Sequence, residues 1–260
     1  MSYNHHIESA IENGYDFKIG DYFSKGLEIF KKNPGGYLGY LIVFIVIELI
    51  TSFIPLLGTL IGVVINPALG VGIAIAAHKQ EKTGSEDFGN FFKGFDFLAQ
   101  LVVANIVMLV IYIMLAIPLI FIVGFSAIIA FASGDSDAIM GSYGQFSSLE
   151  LGILVMIIIF LYVGISLRWT NYLIVFHKYD AVEAIKTSWK LVNKSWFMHF
   201  AFGILAFLAL IGGIIALIIG ILFVVPIVAI ADYAGFADIT GLNKNNDIID
   251  EIGSFKDELV

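Results

Sequence analysis

Residues 95–132 read FDFLAQLVVANIVMLVIYIMLAIPLIFIVGFSAIIAFA, an apolar run with one carboxylate, Asp96, at its start and one proline, Pro118, beyond its middle. A helix crosses the hydrocarbon core of a bilayer in about 20 residues. The run is therefore long enough for two crossings, while its proline and length also suit one kinked crossing. The choice decides the fold, because it sets which side of a membrane every later loop faces.

Charge placement settles it, since lysine and arginine concentrate in cytoplasmic loops. Lys18, Lys25, Lys31 and Lys32 precede the first apolar run, and Lys79, Lys82 and Lys93 follow the second. Lys178, Lys186, Lys190 and Lys194 lie together further on, with Lys244 and Lys256 near the end. The remaining member of the 14 basic residues, Arg168, sits inside an apolar run. One crossing by residues 95–132 leaves every lysine on one side and the lysine-free loop 133–150 on the other. Two crossings would separate Lys178–Lys194 from the rest. One crossing is the reading, and the surplus length becomes a Pro118-kinked, tilted or partly re-entrant extension.

The expected fold is all-α, a polytopic helical membrane bundle. Its six transmembrane helices fall at about 37–54, 60–77, 96–117 (extending to 132), 151–174, 196–212 and 217–236. The turn between the last two lies near Gly212-Gly213 or Gly220. A polar N-terminal tail (1–16) and an acidic C-terminal tail (240–260) flank a membrane domain (17–239), with both termini cytoplasmic. The tail MSYNHHIESAIENGYD is polar and acidic, so no secretory signal is expected.

Composition agrees. The chain is 59% hydrophobic and 14% charged, against about 45–50% and about 25% for soluble domains, and its mean hydropathy is +0.92. A net charge of −8 leaves no basic footprint for nucleic acid. The absence of cysteine excludes disulfides and thiolate metal sites.

Two amphipathic segments stand outside the spans. Ile19, Phe23, Leu27 and Phe30 recur at helical spacing before the first span, opposite Asp21, Lys25, Glu28 and Lys32. Val182, Ile185, Trp189, Val192 and Trp196 do the same before the fifth, where Asp180 is placed to cap the helix. Both are expected to lie in the inner interface, apolar face down. Phe88, Phe91, Phe92 and Phe95 suggest a third, shorter interfacial piece. Shifted by 162 residues, FSKGLEIFKKN (23–33) falls on IKTSWKLVNKS (185–195) with apolar positions coincident. A hairpin follows each, and its returning helix carries Pro67 or Pro226. These features suggest a parallel internal repeat of the kind some transporters use; the bland alternative is that any two such units look alike.

These residues resemble a family of bacterial six-span membrane proteins of unknown function, which includes the membrane domain of some glycerophosphoryl diester phosphodiesterases. The likeness is carried by GLEIFKKN (26–33), PLLGTLIGVVINPALGVG (55–72), EDFGNFFKGFDF (86–97), LRWTNYLIVFHKYDAVEAIKTSWKLVNKSW (167–196) and GILFVVPIVAIADYAGFADI (220–239). The resemblance implies six spans and a bacterial cytoplasmic membrane. It brings no established reaction, cofactor or ligand, so no catalytic residue is carried over.

Nor do the residues themselves form a catalytic set. The histidines His5, His6, His78, His177 and His199 lack an H-E-x-x-H spacing, and no nucleophile elbow or phosphate loop occurs. Neither a metal nor a cofactor is expected. Polar groups at membrane depth are informative instead, because each is costly in hydrocarbon. Arg168 lies about 12 Å and Glu48 about 17 Å inside the inner boundary, at 1.5 Å per residue. The two could pair if their helices adjoin, with Asp232 the competing partner. Asn66, Asn105 and Asn171 are candidates to complete an intramembrane polar cluster. Pro67, Pro118 and Pro226 are the expected helix breaks.

The leading functional expectation is a non-enzymatic integral membrane protein acting through lipid or protein contacts. Its expected partners are membrane lipids, with a membrane-protein partner or a second copy of the chain. The alternative is a small transporter or permease subunit for an amphiphilic or anionic solute, with Arg168 at a gate or headgroup site.

Overall fold

The computed structural model describes residues 2–54, 57–132, 149–215 and 219–243. Among them it forms α1 (Ser2–Asn13), α2 (Ile19–Lys32), α3 (Pro34–Ser52), α4 (Leu57–Gly70), α5 (Gly72–Thr83) and a 3₁₀ segment (Phe88–Phe97). There follow α6 (Leu98–Ala132), α7 (Leu149–Ser166), α8 (Thr170–His177), α9 (Ala181–Asn193), α10 (Trp196–Ile215) and α11 (Ile219–Thr240), with no strand among the described residues. Among the described residues, six stretches are long and apolar enough to cross a membrane: 34–52, 58–83, 88–118, 152–177, 196–215 and 220–240. The chain is a helical protein with the make-up of a multi-pass membrane protein. The loop read at 133–150 lies almost wholly, and the acidic tail lies from residue 244 onward, outside the described residues.

From Leu98 onward, the long apolar run 95–132 is one helix. α6 continues for 35 residues through Pro118, about 52 Å at 1.5 Å per residue, well beyond a hydrocarbon core of about 30 Å. Pro67 and Pro226 likewise sit inside α4 and α11 rather than ending them. The breaks expected at these three prolines are therefore corrected: a missing N–H frees one carbonyl, which need not end a helix whose remaining ladder is intact. The interruptions fall instead at Val71, between α4 and α5, and at Leu167–Trp169, between α7 and α8. Gly212 and Gly213 also lie within a helix, α10. A Cβ on Gly213 would meet the Gly220 and Ile221 backbone at 3.0 Å, which makes this a close-packing glycine.

The structure divides into two units, one of residues 1–104 and 166–260, the other of residues 105–165. In the smaller unit, Tyr112 of α6 stacks on Phe160 of α7 with ring centroids 5.7 Å apart. Among the described side chains of these helices, the exposed large hydrophobics are mostly Leu, Ile, Val and Met, as suits helices bathed in acyl chains.

The larger unit holds everything else. Asn33 starts the first span: its side-chain oxygen accepts the Gly36 N–H at 2.9 Å, and Pro34 takes the first helical position, where a missing N–H has no consequence. The N-terminal tail is not a loose segment. Ile7 and Ala10, three residues apart on α1, are buried, and Phe17 follows them into an aromatic cluster. The polar residues around them hid that short apolar stripe.

α2 also differs from its sequence reading. Its buried face is Tyr22, Gly26, Ile29 and Phe30, whereas Leu27 of the expected stripe is 40% exposed. Gly26 explains the packing: a Cβ there would stand 2.7 Å from the Ile227 carbonyl oxygen and 3.0 Å from the Ala231 nitrogen of α11. Small residues let helices approach closely inside membranes. The Tyr22 hydroxyl then donates to Asp238 at 2.9 Å, and Lys25 pairs with Glu81 of α5 at 3.2 Å.

The 162-residue offset holds in this geometry. α2 and α9 begin at Ile19 and Ala181, and α3 and α10 at Pro34 and Trp196. Tyr22, Gly26, Ile29 and Phe30 are buried, and so are Ala184, Ser188, Leu191 and Val192 at the matching positions. Leu27 and its counterpart Trp189 are both exposed. The third aromatic piece is the 3₁₀ segment, whose Phe91 is buried against the rings of Tyr37 and Tyr40 while Phe88 and Phe95 stay exposed.

Candidate functional site

Leu167, Arg168 and Trp169 form the turn that interrupts the fourth span. Neither proline nor glycine marks this place. A break in a span strands carbonyls that must find partners where water is absent, and α9 supplies them. The Ser188 hydroxyl donates to the Ser166 carbonyl at 3.0 Å, and the Asn193 amide donates to the Ser166 hydroxyl at 3.1 Å. Asp180 caps α9 by accepting the Glu183 N–H at 2.8 Å. The second break is served in the same way, with the Tyr40 hydroxyl donating to the Leu69 carbonyl at 2.5 Å.

The turn delivers Arg168 to α11. Its guanidinium donates to Asp232 at 2.5 Å, and the Trp169 indole N–H donates to the same carboxylate oxygen at 2.9 Å. Side-chain exposures of 17% and 19% put this ion pair largely out of solvent. The guanidinium carbon also lies 4.7 Å from the centroid of the Phe202 ring, a cation–π contact. Depth explains the choice of partner. Arg168 lies nine residues before the end of α8 and Asp232 eight before the end of α11, about 13 and 12 Å at 1.5 Å per residue. Glu48 stands 14 residues past the start of α3, about 21 Å by the same measure.

Glu48 is therefore not the partner of Arg168. It forms no ion pair among the described residues, and its Oε1 is buried without a hydrogen bond. Asn171 is half-buried one turn after Arg168, Asn66 is half-buried in α4 beside Gly62, and Asn105 belongs to the smaller unit. Of the expected polar cluster, Arg168 and Asp232 are brought together, and the others take no part in this ion pair.

Beneath the pair lies an aromatic floor that the sequence reading missed. Trp169, fully buried, meets His199 edge to face at 4.6 Å, and Phe17 lies 4.3 Å from the same imidazole. The Tyr15 hydroxyl is 2.9 Å from the Leu191 carbonyl and 2.8 Å from His199 Nε2. A hydroxyl has one proton, and a carbonyl can only accept. Tyr15 therefore donates to Leu191 and accepts from His199 Nε2–H, an assignment made from the network. A proton on the buried His199 Nδ1, which has no partner, would create an unpaired charge, so the imidazole is neutral and Nδ1 carries only a lone pair. Burial raises the Tyr15 hydroxyl above its ordinary range against the opposing charge of Arg168, which keeps that proton in place. Tyr15 and His199 are 184 residues apart, so no spacing in the chain could have paired them.

The Arg168 cation is matched by one carboxylate, packed on aromatic rings and backed by a neutral histidine. Among the described residues, no three histidines or carboxylates converge as a metal-ligand set. No family model, curated protein or solved structure matches this chain.

Proposed function

We propose that this chain is a non-enzymatic multi-pass protein of a bacterial cytoplasmic membrane, with both termini cytoplasmic, that acts through lipid contacts on its lysine-bearing face. The observation that carries the reading is the double use of α2 and α9. Each buries one stripe against the protein and leaves large apolar side chains exposed, Leu27 on α2 and Val182 and Trp189 on α9. A helix that packs on its own bundle and still exposes Leu, Val and Trp suits the boundary between headgroups and acyl chains. The resemblance to uncharacterised six-span proteins agrees with this role. The commitment of Arg168 to Asp232 favours a structural pair over a transport gate.

Native mass spectrometry of the mildly extracted protein tests the proposal. The expected spectrum carries phospholipid adducts that persist on gentle activation and that diminish in the L27E/W189E variant. A bare protein, or adducts unchanged in that variant, would contradict it.

A further inference from the structure

A cleft of about 600 Å³ opens where the second span ends, the 3₁₀ segment passes and the fourth span ends. Lys79, Lys82, Lys93 and Lys178 line it together with one carboxylate, Asp96. That carboxylate is already engaged at long range, 3.9 Å from Lys93, and both groups are exposed. Glu81, the nearest acid in α5, is held by Lys25. Lys79 and Lys82 form no ion pair among the described residues. Four cations gathered around one carboxylate repel one another, and an anion in their midst relieves that repulsion.

Lys178 gives the cleft its built character. It ends α8 in the left-handed conformation, φ 61°, the only non-glycine residue with positive φ among those described. Glycine is the usual occupant of such a position, because a side chain there is strained. Two contacts hold the Lys178 ammonium at the cleft: it donates to the Val175 carbonyl at 2.9 Å and sits 3.7 Å from the Phe97 ring centroid. An ammonium has three donors, so this bond leaves others to spend on a ligand. Burial lowers its pKa, with Asp96 opposing that shift and Lys79 adding to it. The floor is apolar, formed by Ile75 and Val175.

We propose that this cleft binds a phosphate-type anion, with its charge among Lys79, Lys82 and Lys178 and any apolar portion of the ligand against Ile75 and Val175. The inference rests on the reading of this face as the headgroup level of the membrane. A phospholipid headgroup and a free phosphate share the required chemistry, and the experiment separates them.

The intact protein in neutral detergent is offered phosphatidylglycerol or phosphatidylcholine, and retained lipid is counted by native mass spectrometry. The chain is compared with K79Q/K82Q/K178Q and with K31Q/K186Q/K190Q, which removes equal charge from exposed sites on the same face. In a parallel arm, thermal unfolding is followed in inorganic phosphate and in chloride of equal ionic strength. The expected result is phosphatidylglycerol retained over phosphatidylcholine, weakened roughly a hundredfold in the cleft variant and little changed in the control, given the contribution of each lysine at an anionic surface. Stabilisation by phosphate that only the cleft variant loses would equally support the site and identify a soluble ligand. Equal binding by both variants, or loss in both alike, would overturn it. Should the triple variant fail to fold, K79Q and K82Q alone serve, since neither lysine makes an ion pair; each is expected to weaken binding roughly fivefold. Failure here with Trp189 still in contact with lipid removes the site alone, whereas loss of that contact removes the underlying reading.

Discussion

Asp232→Ala is expected to destabilise the protein by about 3–5 kcal/mol, the range for breaking a buried ion pair from one side. The removed carboxylate oxygen serves two donors at once, the Arg168 guanidinium and the Trp169 indole. Its loss leaves a cation and an N–H stranded in a turn that already interrupts the fourth span. Asp232→Asn keeps an acceptor for both groups and gives up only the charge, so its loss should be smaller. R168L/D232N removes both charges and keeps an oxygen for Trp169, and should recover most of the stability lost in Asp232→Ala. Unfolding in neutral detergent measures all three. A loss of no more than about 1 kcal/mol in Asp232→Ala would instead mark an exposed pair of little consequence.

The second large effect is expected at Gly26. Leucine there must fit where even a Cβ would come within 2.7 Å of the Ile227 carbonyl oxygen, and backbone cannot yield as a side-chain tip can. α2 must move away from α11, stretching the Tyr22–Asp238 hydrogen bond and the Lys25–Glu81 ion pair. Overpacking of this kind costs about 1–3 kcal/mol. Faster hydrogen exchange confined to α2 and the facing half of α11 would be its signature. Gly20 supplies the control: it lies in the same helix with nothing within 4 Å of an added Cβ, so Gly20→Ala should be neutral or stabilising by up to about 1 kcal/mol. Equal behaviour of Gly20 and Gly26 substitutions would show that α2 does not pack on α11.

The parts of the fold that could be read from residues are those where water and lipid impose different demands. Lysine placement led to the reading of residues 95–132 as one crossing, and from Leu98 onward they form the single helix α6. Amphipathic spacing located α2 and α9, and Asp180 marked the start of α9. Within the membrane that contrast fades, because lipid is as apolar as a protein core. Leu27 and Ile29 look alike in sequence, yet Leu27 is exposed and Ile29 is fully buried. The better markers of protein-facing positions were the small residues Gly26, Ala184 and Ser188.

The site was legible only in part for related reasons. Arg168 stood out because a guanidinium in a span needs a partner, but depth counted along the sequence left both Glu48 and Asp232 within its reach, and the fold selects Asp232. The turn at Leu167–Trp169 carries no breaker of its own. It persists because Ser188 and Asn193, on a different helix, satisfy Ser166. The three prolines drew attention to positions where the helices continue. The approach of Tyr15 to His199 depends on α1 and α10 meeting, which no local pattern records.

The central claim is that the helices on the lysine-bearing face lie at the lipid boundary, and Trp189 reports on it directly. Its indole is 38% exposed on the bare side of α9, while Trp169 is fully buried. Tryptophan fluorescence of the protein and of Trp189→Phe, reconstituted in phospholipids brominated at shallow or deep acyl positions, isolates the Trp189 signal as their difference. The account predicts strong quenching by shallow bromines and weak quenching by deep ones. A Trp189 signal that no brominated lipid quenches would contradict it.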